Sequence, residues 1–242
     1  MTETDEPTNP KQIEIEADGP YIVSGNIPLV SKTQIVSEYG EPLTWKLDGE
    51  IKTDESYLLC RCGHSSHMPF CDATHFEIGF DGTETAPTSL TAERREAYPG
   101  SQNIVIRIDL ELCTESGFCA NQKTSIYEMA TQTADTQVRA LAIAMIEHCP
   151  SGALTYSLKA GEGDLEVDLP KHIAVTTEIT SQGPIPAPLW VTGDIPIIRS
   201  DGKPFEVRNR VTLCNCGKSH AKPLCDGSHR LTHSGKGPRA PG

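Results

Sequence analysis

Two short stretches of this chain each carry a full set of metal-binding side chains. The first reads Cys60-x-Cys62, Ser65, Pro69, Cys71, Asp72, His75, and the second Cys214-x-Cys216, Ser219, Pro223, Cys225, Asp226, His229. Each offers three thiolates and one imidazole within sixteen residues. That is enough to complete one tetrahedral ion or one two-iron cluster without help from elsewhere. Three more cysteines, Cys113, Cys119 and Cys149, lie between the copies. The total of nine is odd, and Met1–Pro10 is polar and acidic rather than an apolar leader. Both features argue against a disulfide framework and for a reducing cytoplasm, where clustered cysteines serve metal or redox chemistry.

Zinc and iron–sulfur both stay open on ligand type alone, since three Cys and one His is a common zinc set. In a two-iron reading, Cys60 and Cys62 hold one iron and Cys71 and His75 the other, with Cys214, Cys216, Cys225 and His229 repeating the arrangement. Imidazole in place of a thiolate removes a negative charge and raises the potential. It also adds a group that protonates as pH falls. Ser65 and Ser219 either donate to sulfur or only shape the turn. His64, His67 and His220 read as solvated loop residues.

The elements that must position these groups repeat as well. Pro20-Tyr-Ile-Val-Ser-Gly25-Asn-Ile-Pro28-Leu-Val30 matches Pro188-Leu-Trp-Val-Thr-Gly193-Asp-Ile-Pro196-Ile-Ile198. Glycine between apolar runs predicts a hairpin in each copy. Tyr57–Leu59 and Val211–Leu213 read as strands delivering each Cys-x-Cys pair. A helical turn is expected from each third cysteine, capped by Asp72 and Asp226. The first copy inserts residues 32–55, including Trp45. Between the copies, Ile104–Ile108 and Ala153–Leu158 read as strands and Thr124–Ala130 as a short helix. Thr136–His148 reads as a longer helix on the spacing of Val138, Leu141, Ala142, Met145 and Ile146, with Cys149 continuing that face and Pro150 ending it. Residues 81–102 and 161–188 look like linkers.

The two flanking motifs resemble the CDGSH iron–sulfur (mitoNEET-like) family, whose signature is C-x-C-x2-[ST]-x3-P-x-C-D-G-[SAT]-H. Residues 214–229 match it throughout; residues 60–75 depart only at Ala73, where the family has Gly. The resemblance implies a 2Fe–2S cluster on Cys60, Cys62, Cys71 and His75, and another on Cys214, Cys216, Cys225 and His229. Family chains with two motifs resemble a homodimer built from one polypeptide. The middle run, Cys113-Thr-Glu-Ser-Gly-Phe-Cys119 with Cys149-Pro-Ser-Gly-Ala, resembles divergent single-cluster ferredoxins. Ser116 stands where bacterial ferredoxins place a ligand, and Glu115 where the divergent family has histidine. Cys113, Cys119 and Cys149 therefore suit a 3Fe–4S cluster, or a 4Fe–4S cluster completed by Glu115 or water.

The expected fold class is α+β: two small β-rich CDGSH domains, residues 10–82 and 184–238, forming a pseudo-twofold pair, with an α+β ferredoxin-like domain, 103–160, between them. A charge of −12 in 242 residues speaks against nucleic acid and suits a basic patch on a protein partner. No apolar run is long enough to cross a bilayer, and no nucleotide loop or catalytic triad is present. The expectation is an electron or cluster carrier rather than a stand-alone enzyme, acting on a redox or cluster-acceptor protein and monomeric through its internal pair. The alternatives are an electron-delivering subunit of an oxidoreductase and a structural zinc module.

Overall fold

The computed structural model describes residues 9–234. The last four residues of the expected third domain, 235–238, lie outside that range. In chain order the elements are β1 (Gln12–Ile15), β2 (Tyr21–Ser24), β3 (Leu29–Val36), β4 (Pro42–Ile51), β5 (Tyr57–Leu59), α1 (Thr74–Glu77), α2 (Thr91–Arg94), β6 (Glu96–Ala97) and β7 (Val105–Ile108). There follow a 3-10 turn (Leu110–Leu112), α3 (Ile126–Ala130), α4 (Thr136–His148), β8 (Leu154–Ser157), β9 (His172–Thr180), β10 (Gly183–Thr192), β11 (Ile197–Ile198), β12 (Arg210–Leu213) and α5 (His229–Ser234).

These strands form three sheets, ordered β11-β1-β2-β5, β12-β10-β9-β3-β4 and β6-β7-β8. The first two exchange strands between the repeats. Strand β1 takes β11 of the second copy as a parallel neighbour, Ile13 opposite Ile197. Strand β9 takes β3 of the first copy in the same sense, Ile173 opposite Leu29. The match is strand for strand: Tyr21 faces Leu59 in one sheet and Leu189 faces Leu213 in the other.

Two expectations change here. The segments around Gly25 and Gly193 are not hairpins, because β2 and β3 lie in different sheets, as do β10 and β11. Each glycine instead turns the chain from one sheet to the other at positive φ, 79° and 78°. A β-carbon at Gly25 would strike Lys11, and one at Gly193 would strike Lys171. Residues 161–188 are likewise more than a linker, since β9 and the start of β10 fall within them. The insertion after Lys32 is the β3–β4 hairpin, which widens the second sheet.

The middle unit follows the pattern read from its sequence. Ser125 and Glu128 close a capping box on α3, and the Asp135 carboxylate accepts from the Gln137 amide at 2.7 Å to start α4. Of the apolar face of α4, Ala142 and Ile146 are buried, whereas Leu141 stays exposed. One apolar cluster runs through all three units, joining Ile13 and Leu59 to Leu189 and Leu213 and to Ile106 and Ile146.

The two halves meet most closely at their Cys-x-Cys loops. A β-carbon on Gly63 would stand 2.5 Å from the Cys216 carbonyl oxygen, and one on Gly217 would collide with the Cys62 carbonyl. Both glycines have positive φ, 79° and 72°. An L-residue there adds left-handed strain of roughly 1–2 kcal/mol to the collision. Gly63→Ala should therefore lower stability by more than about 2 kcal/mol and reduce metal content in both repeats; urea unfolding with metal analysis checks this.

Candidate metal centres

In each repeat the donors arrive as two pairs. Strand β5 delivers Cys60 and Cys62, whose sulfurs lie 3.7 Å apart. Strand β12 delivers Cys214 and Cys216 at the same 3.7 Å. Two sulfurs on one tetrahedral metal at about 2.3 Å sit roughly 3.7 Å apart. The second pair is also repeated: Cys71 Sγ lies 3.4 Å from His75 Nδ1, and Cys225 Sγ 3.4 Å from His229 Nδ1. Among the described residues no three His, Cys, Asp or Glu side chains gather about a single ion position. All nine cysteines are free. Paired donors of this kind fit two bridged irons, and Nδ1 is the histidine nitrogen presented.

The loops that hold these pairs are braced alike. The Ser65 hydroxyl donates to the Phe70 carbonyl at 2.6 Å and the Ser219 hydroxyl to the Leu224 carbonyl at 2.7 Å. The serines thus shape the turn rather than reach sulfur. Asp72 and Asp226 do not cap helices from the third cysteine. Their carboxylates accept from the amides of Ser66 and Thr74, and of His220 and Ser228. The helices begin later, α1 at Thr74 with Ala73 as its N-cap and α5 at His229. His67 and His220 are exposed, as expected, and lean on Asp72 and Asp226.

Surroundings set the thiol chemistry. Burial pushes the Cys62 thiol up to about 11 and Cys225 up to about 12. Cys214 goes the other way, held below the ordinary thiol range by its contact with Cys216 and by backbone amides of Ser219, Cys216 and Gly217.

The three middle cysteines come from the 3-10 turn, the following loop and the end of α4. The Cys149 amide bonds to the Ile146 carbonyl at 3.1 Å. Burial pushes the Cys113 thiol up, and the charges of Cys149, Cys119 and Glu115 add to that. Glu115 holds positive φ, 53°, with its side chain exposed. Ser116 is buried, and Cys119 is the exposed cysteine.

This middle site is fastened to the second repeat. Arg210 donates to the Cys149 carbonyl at 2.7 Å and the Ile146 carbonyl at 3.2 Å. Arg230 donates to the carbonyls of Thr114 and Glu115. Beside Cys113, the buried Thr114 hydroxyl has no hydrogen-bond partner among the described residues. A β-carbon on Gly227, two residues after Cys225, would stand 3.3 Å from the Thr114 carbonyl oxygen.

A family model described as iron-binding zinc finger, CDGSH type, matches residues 18–76 and again 187–230. A model described as divergent 4Fe–4S mono-cluster matches residues 100–159. The chain carries two CDGSH domains flanking a divergent 4Fe–4S mono-cluster domain. No curated protein matches it in sequence. The domains matched are of iron–sulfur-binding types. Among the described residues no helix is long and apolar enough to cross a membrane.

Sequence reading missed the partners of the second CDGSH site: Thr114, Arg230 and above all Glu178. Glu178 lies in the segment taken for a linker. A signal was present, because Pro10-Lys-Gln-Ile13 recurs as Pro170-Lys-His-Ile173 and opens a β-branched run through Thr180.

Two outcomes follow from this geometry. Ala73 sits at φ 71°, where Gly227 of the other repeat sits at 86°. Ala73→Gly should raise stability by up to about 1 kcal/mol, measured by urea unfolding. Chelator-stripped protein should lose stability between about pH 8.5 and 11. The unfolded chain releases thiol protons near about 8.5, while the fold keeps those of Cys62 and Cys225 to higher pH. Urea midpoints at pH 8 and pH 10 check this, a constant midpoint contradicting it.

Proposed function

We propose that this chain is a one-electron carrier in which the middle unit and the second CDGSH unit form one electron path. Cys60, Cys62, Cys71 and His75 would hold one 2Fe–2S cluster, and Cys214, Cys216, Cys225 and His229 another. Cys113, Cys119 and Cys149 would hold a cubane cluster. Bound there, the clusters supply one-electron exchange without rearrangement of the chain. The observation that carries the reading is the loop after Cys113, whose Thr114 and Glu115 carbonyls accept from Arg230, the residue after His229. That is an arrangement for coupling two redox centres, whereas a cluster-transfer protein needs each site only to open to solvent.

With three thiolates, the middle site leaves one corner to water or Glu115. We read it as a four-iron cluster that loses the unprotected iron on oxidation, giving 3Fe–4S. A pseudo-twofold relation of the CDGSH units is supported by their matching registers and makes a monomer sufficient. The proposed partner is a redox protein or enzyme with a basic face, meeting the charge of −12 near exposed Cys119, in a reducing compartment.

The test is iron and sulfide content of anaerobically purified protein together with electron spin resonance. Expected are acid-labile sulfide, two 2Fe–2S signals on reduction, and a spin interaction between the middle cluster and one of them. Cys149→Ser should remove the middle signal and that interaction while both 2Fe–2S signals persist. Colourless, zinc-loaded protein without sulfide would refute the reading.

A further inference from the structure

The two CDGSH sites match in their donors but differ behind the histidine. His229 Nε2 lies 3.1 Å from Glu178 Oε2, with the two side chains 1% and 3% exposed. Glu178 is in turn gripped by Arg230, whose Nε and Nη2 donate to its two oxygens at 2.8 and 2.7 Å. At the first site, His75 Nε2 is buried with no hydrogen-bond partner among the described residues.

Strand length explains the difference. The strand that carries Glu178, β9, runs for nine residues, whereas its counterpart β1 has four and stops at Ile15. The long β9 is stabilised by the hairpin inserted in the first repeat. Strand β3 pairs with it from Leu29 to Thr33, and the Gln34 side-chain oxygen accepts from the Ile179 amide at 3.2 Å. The first repeat thus supplies the support that lets a carboxylate reach the histidine of the second.

Resting on the iron–sulfur reading above, the geometry points to Glu178 as a positioning residue that makes the second cluster the more tightly held and the lower in potential. The carboxylate accepts a hydrogen bond from Nε2–H, which fixes the tautomer with the Nδ1 lone pair free for iron. It also places a full negative charge behind the ring, making the imidazole a stronger donor and favouring the oxidised cluster. Arg230, bonded to both carboxylate oxygens, balances that charge within the buried site. Among the described residues no carboxylate bonds to His75 Nε2. Its ring has the side chain of Phe76 alongside, centroids 4.1 Å apart.

The experiment uses full-length protein reconstituted anaerobically with iron and sulfide, then challenged with a chelator at constant pH. Iron release and the spin resonance of reduced aliquots follow each cluster, with Cys71→Ser and Cys225→Ser assigning the two 2Fe–2S signals. Wild type should release the first cluster faster than the second. Glu178→Leu should speed release of the second about 10–100-fold and leave the first unchanged. Glu178→Gln keeps an acceptor for Nε2–H but loses the charge. It should retain the cluster more nearly as wild type does and raise the potential of that cluster alone. The potential decides the matter even where Glu178→Leu fails to fold, because a side chain that merely filled space would leave it unmoved in Glu178→Gln. Equal release from both wild-type sites, or an unchanged potential in Glu178→Gln, would overturn the inference while leaving the iron–sulfur reading intact. Protein that takes up neither iron nor sulfide would overturn that reading and this inference with it.

Discussion

Close backbone contact between the Cys-x-Cys loops is the constraint on which this molecule turns. Gly63 lies against the Cys216 carbonyl and Gly217 against the Cys62 carbonyl, at a separation no side chain permits. For two loops to meet in this way, the strands behind them must come from a shared framework. The exchange of β11 into the first sheet and β3 into the second provides it. The apolar cluster then has to be continuous, because each of these two sheets contains strands of both repeats. A chain with only 5% aromatic residues gains from this, since two small cores merge into a larger one. Neither repeat buries its own apolar face alone, so the sites are coupled mechanically before any metal is considered.

The side chains of chemistry were legible because their spacing is local. Cys60, Cys62, Cys71 and His75 fall within one loop and one turn, so the sequence interval already limits the distance between them. Elements whose burial is one-sided were equally readable, as α4 and the strand Tyr57–Leu59 illustrate. What stayed hidden depends on contacts distant along the chain. The apolar runs on either side of Gly25 have the pattern of a hairpin. Only the competing partners, β5 for β2 and β9 for β3, draw them into different sheets. Glu178 is 51 residues from His229, and no local pattern ties a carboxylate in a β-branched run to a ligand that far ahead. Asp72 shows another limit. A good N-cap residue preceded a helical turn, but its carboxylate satisfied the Ser66 amide and the helix began after Ala73.

The position of the middle unit has a topological reason. Strands β3 and β9 are parallel neighbours, and parallel neighbours require a long crossover. The chain has to travel from the first repeat to β9 in any case, and the mono-cluster domain occupies that journey. Placed there, it must return to the second sheet, because β9 is the next element after its last strand. Arg210 at the start of β12 receives the end of α4 through the Cys149 and Ile146 carbonyls, and Arg230 at α5 receives the loop after Cys113. The connection therefore fixes which CDGSH site the middle unit adjoins. The site with the buried carboxylate is the same one that Thr114 touches, and Arg230 serves both, holding Glu178 with one edge of its guanidinium and the Thr114–Glu115 backbone with another. One cation thus links the placement of the middle unit to the environment of His229. The two repeats, alike in their ligands, are made unequal by what the crossover brings to one of them.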